Sequence, residues 1–567
     1  MEELEKNEDV EKRKEKVINN LNYFIKNKDF FIFAVILVIG ILIRLYYFYL
    51  TKSQPLWWDE ADYMSYAKKI AGIGSVDWII TEKHASIFPF IIAIFMKFIS
   101  SEVILRFILE IIPSILLIIL TYILASLMYK DKRVAIISSI LMASLWEVLF
   151  NSFRFQLDIP ALLLSLFAIY IFWQGYEKKE KIFGKISSKY ALPLTVLLVV
   201  FIYAFRKSYV LFGGFFFVYM LLIIKWKELF KNKYNWLSLV LALVFLFLIQ
   251  KFILFNSLDT SATLSDAFGS SFDFVPLQIF SAYFENIYHP YLSILTYLFW
   301  VGLTILIFNF LLSIGNLKKQ EKGSELRADF FNLLAIIITL VFFIFLTRNG
   351  NLGDPRWYYP LLFSSFICIS KATLLFADFI GRYSKPLGVA FILIIVLFGG
   401  YYELQHADFI IKNKIPTYQG IKDASLYLKQ NSNLQDVIIS VPVPQTAYYS
   451  ERPSLSPAGL TNKSYNGNVS FDEFLKAIKD NARVRYVIVS FSEPNHPEWM
   501  RNESIEIFQN PQTGQAYIGK WQIPFMNTTI DFVNQKQDLK EEVTYGDLKF
   551  KLIKTTQDSF IYEIKRI

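Results

Sequence analysis

Eleven apolar runs, each close to the roughly 20 residues that one bilayer crossing requires, occupy most of the chain between residues 30 and 402. They lie near 30–50, 104–129, 134–150, 157–174, 190–206, 208–225, 236–256, 291–314, 329–347, 359–377 and 386–402. A chain of 567 residues that is 54% apolar and 17% aromatic carries more apolar surface than one soluble core can bury. The predicted class is therefore a polytopic α-helical membrane protein of about 11 transmembrane helices.

Lysine and arginine set the expected orientation, because short loops rich in them stay in the cytoplasm. Loops with Lys130, Lys132 and Arg133, with Lys178, Lys179, Lys181, Lys185 and Lys189, with Lys225, Lys227, Lys231 and Lys233, and with Lys318, Lys319, Lys322 and Arg327 alternate with nearly neutral ones. A charged tail over 1–29 then lies inside, a transmembrane domain spans 30–402, and 403–567 form an extracytoplasmic domain. The net charge of +9 is mostly this topology signal. Its lysines are scattered through loops, so no nucleic-acid partner is expected. The run from Phe30 exceeds a signal-peptide core and follows a long charged tail, so it reads as an uncleaved signal anchor. Cys368 is the sole cysteine, which excludes an intrachain disulfide and a cysteine-cluster metal site.

The first outer loop, from Thr51 to about Glu102, carries two short helical patterns. In the first, Asp59, Tyr63, Tyr66, Ala67, Ile70 and Ala71 follow the three-and-four spacing of one helix face. The second, Ile87 to Ile99, is apolar but too short to span. Between them stands Glu82-Lys83-His84. Asp59, Glu60 and Asp62 crowd one turn, and their mutual repulsion with partial desolvation is expected to raise at least one pKa toward the range of a general base. The plainer alternative is a set of solvated acids at a helix N-terminus, where the dipole favours them. Further polar residues fall on the same predicted side: Arg154 and Asp158 between the third and fourth spans, Arg206 and Lys207 between the fifth and sixth, and Arg348, Asp354 and Arg356 before Trp357-Tyr358-Tyr359-Pro360. Singly, each is explained by snorkelling or by an aromatic belt. Together, against the positive-inside trend, they point to a site that handles an anion.

The order of these motifs resembles the GT-C superfamily of glycosyltransferases that use polyprenyl-phosphate sugars, in particular its protein O-mannosyltransferase and lipid A aminoarabinose transferase group. Trp58-Asp59-Glu60-Ala61-Asp62-Tyr63 is similar to that group's acidic motif in the first outer loop. Glu82-Lys83-His84 followed by Phe88-Pro89 is similar to its turn, with Ala85-Ser86 where Pro-Pro is expected. Leu157-Asp158-Ile159-Pro160-Ala161 resembles its second acidic position, Lys207 a lysine between the fifth and sixth spans, and Arg356-Trp357-Tyr358-Tyr359-Pro360 an Arg-Tyr-x-x-Pro signature. The resemblance covers about residues 30 to 400. It implies the GT-C fold, with two juxtamembrane helices in the first outer loop.

The residues suit such a transfer on their own chemistry. Asp59 is placed as the base for an acceptor hydroxyl, with Glu60 beside it. Lys83, Arg154, Lys207 and Arg356 would stabilise the departing phosphate. Glu60, Glu82 and Asp158 would orient the sugar or hold the lysines, and His84 and Tyr358 complete the expected substrate- and phosphate-binding set. A single displacement inverts the anomeric centre. The expected partners are a polyprenyl-phosphate sugar donor, a hydroxyl acceptor on protein, lipid or glycan, and the lipid bilayer of the plasma membrane. With few histidines and no thiol cluster, no tightly bound metal is expected, a weakly held divalent cation remaining open. The competing readings are an oligosaccharyltransferase and a polytopic transporter. A transporter would place its polar groups in broken helices near the midplane. An oligosaccharyltransferase would carry Trp-Trp-Asp in its outer C-terminal domain, whereas here that string is Trp57-Trp58-Asp59.

Beyond Tyr402 the pattern is that of a soluble α/β domain. Helices are expected at 420–430 and 471–481 and strands at 436–441, 485–491, 547–553 and 560–564, with an irregular stretch over 442–468.

Overall fold

The structure, a computed structural model, describes residues 28–74, 85–224, 231–253, 293–317, 320–346, 355–463, 467–491, 496–503, 507–509, 516–518, 520–531 and 536–567. Their contacts divide the chain into two compact units. One is Met1–Lys52, Ala85–Ile87 and Glu102–Asn413, and the other is Ser53–His84, Phe88–Ser101 and Lys414–Ile567.

In the first unit, every expected span falls on helix. Among the described residues, eight helical stretches are long and apolar enough to cross a membrane, including Lys28–Thr51, Glu102–Met128, Asp158–Glu177, Ser188–Phe205 and Tyr359–Gly381. The other three runs fall on Lys207–Ile223, which is shorter, on Glu325–Leu346, which carries three charges in its first turns, and on a helix that breaks. That helix, expected unbroken over 134–150, ends at Ser144 and restarts at Trp146, with Leu145 at φ −56°, ψ 120°. Neither proline nor glycine marks the break. Its orphaned backbone groups are satisfied by charge instead. Arg44, fully buried in Lys28–Thr51, donates to the carbonyls of Met142 and Ala143 at 3.4 and 3.2 Å and to Ser114 Oγ at 2.5 Å. On the other side, buried Glu403 accepts the Trp146 amide at 3.2 Å. The cation lies at a helix C-terminus, as the helix dipole favours.

A second irregularity has a covalent cause. The π turn Phe107–Ile111 precedes Pro113, whose ring clashes with a regular helix and donates no amide. The widened turn includes Glu110, which is buried. Close crossings are made by small residues: Gly302 sits against the backbone of Cys368, leaving no room for a side chain. Far along the same bundle, Glu177 pairs with Arg327 at 3.1 Å and Asp329 with Lys371 at 2.5 Å. These charges compensate one another where lone charges would be costly.

The second unit is a mixed α/β domain. Its six-stranded sheet runs Glu542–Tyr545, Leu548–Thr555, Ser559–Arg566, Val484–Ser490, Val437–Ser440, Ser454–Leu455. The strand Val437–Ser440 is parallel to both its neighbours, and the other pairs are antiparallel. Alternation along Val484–Ser490 sends Tyr486 and Ile488 to the helix Gln419–Asn431 and Val487 and Val489 to the helix Phe471–Asp480. A capping box between Ser470 and Glu473 starts the latter helix.

Two features differ from the sequence expectation. The stretch 442–468, expected to be irregular, contains the helix Val443–Ser450, with proline in its first turn, followed by Ser454–Leu455 and Pro457–Leu460. Its polar composition misled because Gln445, Thr446 and Ser450 are all buried, Thr446 donating to Ser440 Oγ at 2.9 Å. The segment 51–102 contains the expected helices, Trp58–Ala71 and Phe88–Met96. The first of them packs on both Phe88–Met96 and Val443–Ser450, so its buried set is wider than one stripe.

Candidate functional site

The first unit holds a cationic cluster built around one carboxylate. Asp158 opens the helix Asp158–Ile171 and is 1% exposed. Arg206 donates to its Oδ1, and Arg356 Nη1 stands 3.5 Å from its Oδ2. Arg356 also donates to Gln156 Oε1 at 2.6 Å, while the Gln156 amide donates to Glu110 Oε1 at 3.1 Å. Thus four elements meet here: the π turn, the 154–158 segment, the turn after Phe205, and the 3₁₀ turn Pro355–Tyr358.

Of the other expected residues, Arg154 is nearly buried, its guanidinium 5.4 Å from the centre of the Phe150 ring. Lys207 begins the one-turn helix Lys207–Tyr209 directly after Arg206. Tyr358 is buried at the head of Tyr359–Gly381. The hydroxyl of the next residue, Tyr359, donates to the Glu147 carbonyl at 3.1 Å and accepts from Asn151 at 2.9 Å. Glu82, Lys83 and His84 lie outside the described residues, as do Arg348 and Asp354. Their described successors Ser86 and Ile87 bond to the carbonyls of Phe205 and Ala204, next in sequence to Arg206.

Sequence reasoning put Lys207 ahead of its neighbour, yet Arg206 is the residue that grips Asp158. It also passed over Glu110 and Gln156. A lone glutamate three residues before Pro113 was the available signal for Glu110, since an acid inside an apolar run needs a reason to be there. Arg206 and Arg356 meet on Asp158, and Gln156 links Arg356 to Glu110. One carboxylate shared by two guanidiniums fixes their forks without neutralising both. Such an arrangement suits a phosphate.

The second unit holds the expected acids Asp59 and Glu60. Asp59 and Glu60 lie in the first turn of Trp58–Ala71. Glu60 and Asp62 are 2% and 3% exposed, whereas Asp59 is only partly buried. Gly72, at φ 70°, closes the helix and returns amide bonds to Lys68 and Lys69. Edge-on ring contacts of Tyr63 with Phe88 and of Tyr66 with Phe90, each 6.0 Å between centroids, hold it against its companion helix.

The C-terminal domain holds the same helix along its length. The Leu56 amide donates to Tyr449 Oη at 2.8 Å, and Gln54 donates to the Lys414 carbonyl at 2.7 Å. Lys68 Nζ lies 4.0 Å over the Tyr448 ring and 3.4 Å from Glu451 Oε1, which Lys429 also meets at 2.9 Å. Burial works to push Glu451 up, but Lys429 and Lys68 outweigh it and hold the carboxyl below its ordinary value. A carboxylate with a depressed folded pKa contributes stability above its unfolded value, near roughly 4.3, and loses it as pH falls through the folded value. Amide exchange of Trp58–Ala71 should accordingly rise on acidification below about pH 4, before exchange in the Val484–Ser490 strand does, as hydrogen–deuterium exchange at stepped pH would show. Among the described residues, no group of three or more His, Cys, Asp or Glu side chains is placed to hold a metal ion.

Comparison of the sequence with protein-family models and with curated proteins finds no match. The fold does match. The oligosaccharyltransferase AglB of Archaeoglobus fulgidus, in complex with an inhibitory peptide and a dolichol-phosphate, superposes with a TM-score of 0.55 at 14% identity, over 82% of this chain and 70% of its own. ArnT of Cupriavidus metallidurans bound to undecaprenyl phosphate gives 0.54 at 10% identity, over 93% and 97%. The chain has the GT-C fold. It is a multi-pass membrane protein with a C-terminal domain of sheet and helix, as the motif order implied.

Proposed function

We propose that this GT-C chain is an inverting glycosyltransferase that moves a sugar from a polyprenyl-phosphate-linked monosaccharide to a hydroxyl acceptor on protein, lipid or glycan. The observation that carries this reading is the set of guanidiniums organised by buried Asp158 in a fold shared with enzymes captured on lipid phosphates. In the proposed reaction Asp59, assisted by Glu60, takes the acceptor hydroxyl proton. The acceptor oxygen then bonds to the anomeric carbon as the bond from that carbon to the phosphate oxygen breaks. The leaving phosphate keeps the electron pair, and Arg206, Arg356, Arg154, Lys207 and Lys83 stabilise the charge that grows on it. Glu82, His84 and Tyr358 are assigned to the sugar and the phosphate turn. The reaction is placed at the outer face of the plasma membrane, with the N-terminus in the cytoplasm.

A monosaccharide donor is favoured over an oligosaccharide because the match to ArnT runs nearly end to end on both chains, and because Trp57-Trp58-Asp59 stands in the first loop rather than in the C-terminal domain. The test is to incubate purified protein with a panel of polyprenyl-phosphate monosaccharides and candidate acceptors and to follow release of polyprenyl phosphate. Release with one donor, with inversion at the anomeric carbon, supports the reading. Consumption of a pyrophosphate-linked oligosaccharide alone would move the oligosaccharyltransferase reading ahead.

A further inference from the structure

Left-handed backbone is cheap for glycine and tolerable for asparagine, but costly for larger residues. Among the described residues of the second unit, four non-glycine residues adopt it: Tyr418, Glu451, Asn462 and Asn527. The two asparagines need no special reason. The tyrosine and the glutamate do, and each meets one end of the acid-bearing helix.

Tyr418, at φ 66°, precedes the helix Gln419–Asn431, and its ring meets that of Trp57 edge-on at 6.0 Å. Trp57 is the N-cap of Trp58–Ala71, two residues from Asp59, and Lys414 Nζ lies 5.8 Å over it. Glu451, at φ 52°, ends the helix Val443–Ser450, and from there its carboxylate bridges Lys429 and Lys68, the latter in the last turn of the acid-bearing helix. Glycine at either place would satisfy the backbone but remove the contact. Strain kept at both grips, and side chains kept where glycine would fold more easily, mark a constraint other than stability.

We infer that the C-terminal domain is the positioning frame of the acidic helix, with Tyr418 and Glu451 as positioning residues that fix the direction of Asp59 and Glu60. The role rests on the proposed reaction only for its effect on turnover; the mechanical part stands alone. The domain thereby joins the reaction without touching the sugar, and removing its grip leaves the acids present but misdirected.

The test uses the full-length protein with Glu451→Gly, Tyr418→Gly and the gentler Glu451→Gln, measured two ways. Hydrogen–deuterium exchange of Trp58–Ala71 is expected to rise in each variant, with Val484–Ser490 unchanged. Unchanged exchange in Trp58–Ala71, or loss of protection through the whole sheet, overturns the inference. In the donor assay kcat per folded molecule should fall about tenfold or more, with KM for the donor held and Glu451→Gln intermediate. Wild-type turnover in variants with a loosened helix also overturns it. If the parent itself consumes no donor, the proposed reaction fails, and the exchange result alone decides the positioning role.

Discussion

Replacing Asp59 with asparagine should lower transfer by about 10²–10⁴-fold, the span that a positioned general base supplies, with little change in melting temperature. The expectation comes from exposure. Asp59 is only partly buried, whereas Glu60 and Asp62 are enclosed by the helices packed on Trp58–Ala71. A base must meet an incoming hydroxyl, so the accessible acid is the better choice, and an enclosed one is better suited to orienting it. Glu60→Gln should therefore lower kcat less than Asp59→Asn. If Glu60→Gln is the more damaging of the two while both variants fold, the roles are exchanged. If Asp59→Asn turns over at the parental rate, the proposed mechanism is wrong.

Replacing Asp158 with asparagine should be costly in a different way. The carboxylate stands between Arg206 and Arg356 and is almost fully buried. Its loss leaves two guanidiniums facing each other without their shared counter-charge. Removing one partner of a buried ion pair typically costs about 3–5 kcal/mol, and both arginines are expected to lose their fixed orientation. Detergent-solubilised Asp158→Asn protein should melt well below the parent and bind a polyprenyl phosphate more weakly. Adding Arg356→Gln should recover part of the stability, because one stranded charge is gone, but none of the transfer. Full recovery of transfer in the double variant would show that Arg356 has no part in holding the phosphate.

The spans were legible because twenty apolar residues in a row have few other uses. The order of motifs Asp59-Glu60, Asp158, Lys207 and Arg356 was legible for a related reason: charge at the end of an apolar run stands out. What stayed hidden was pairing. Nothing in Phe205-Arg206-Lys207 says which cation turns inward, since that depends on the angle at which the chain leaves the helix Ala191–Phe205. The break at Leu145 was invisible because its cause lies on other helices, in Arg44 and Glu403. The helix Val443–Ser450 was missed because its glutamine, threonine and serine are buried, an outcome that local composition argues against. For the same reason the segment 51–102 did not announce that most of it joins the C-terminal domain in one compact unit.

Arg44 also bears on how the chain is made. It leaves the ribosome before its acceptors do: Ser114 follows it by 70 residues and Ala143 by 99. A guanidinium at the middle of an inserted helix costs about 2.5–3.5 kcal/mol on translocon scales. The otherwise apolar neighbours in Lys28–Thr51 offset much of that. Until the segments bearing Ser114 and Ala143 arrive, the side chain has to reach toward the headgroups for water. The helix Lys28–Thr51 is thus inserted before its own interior exists, and its final depth and rotation are set only when Ser114 and the Ala143 carbonyl reach it.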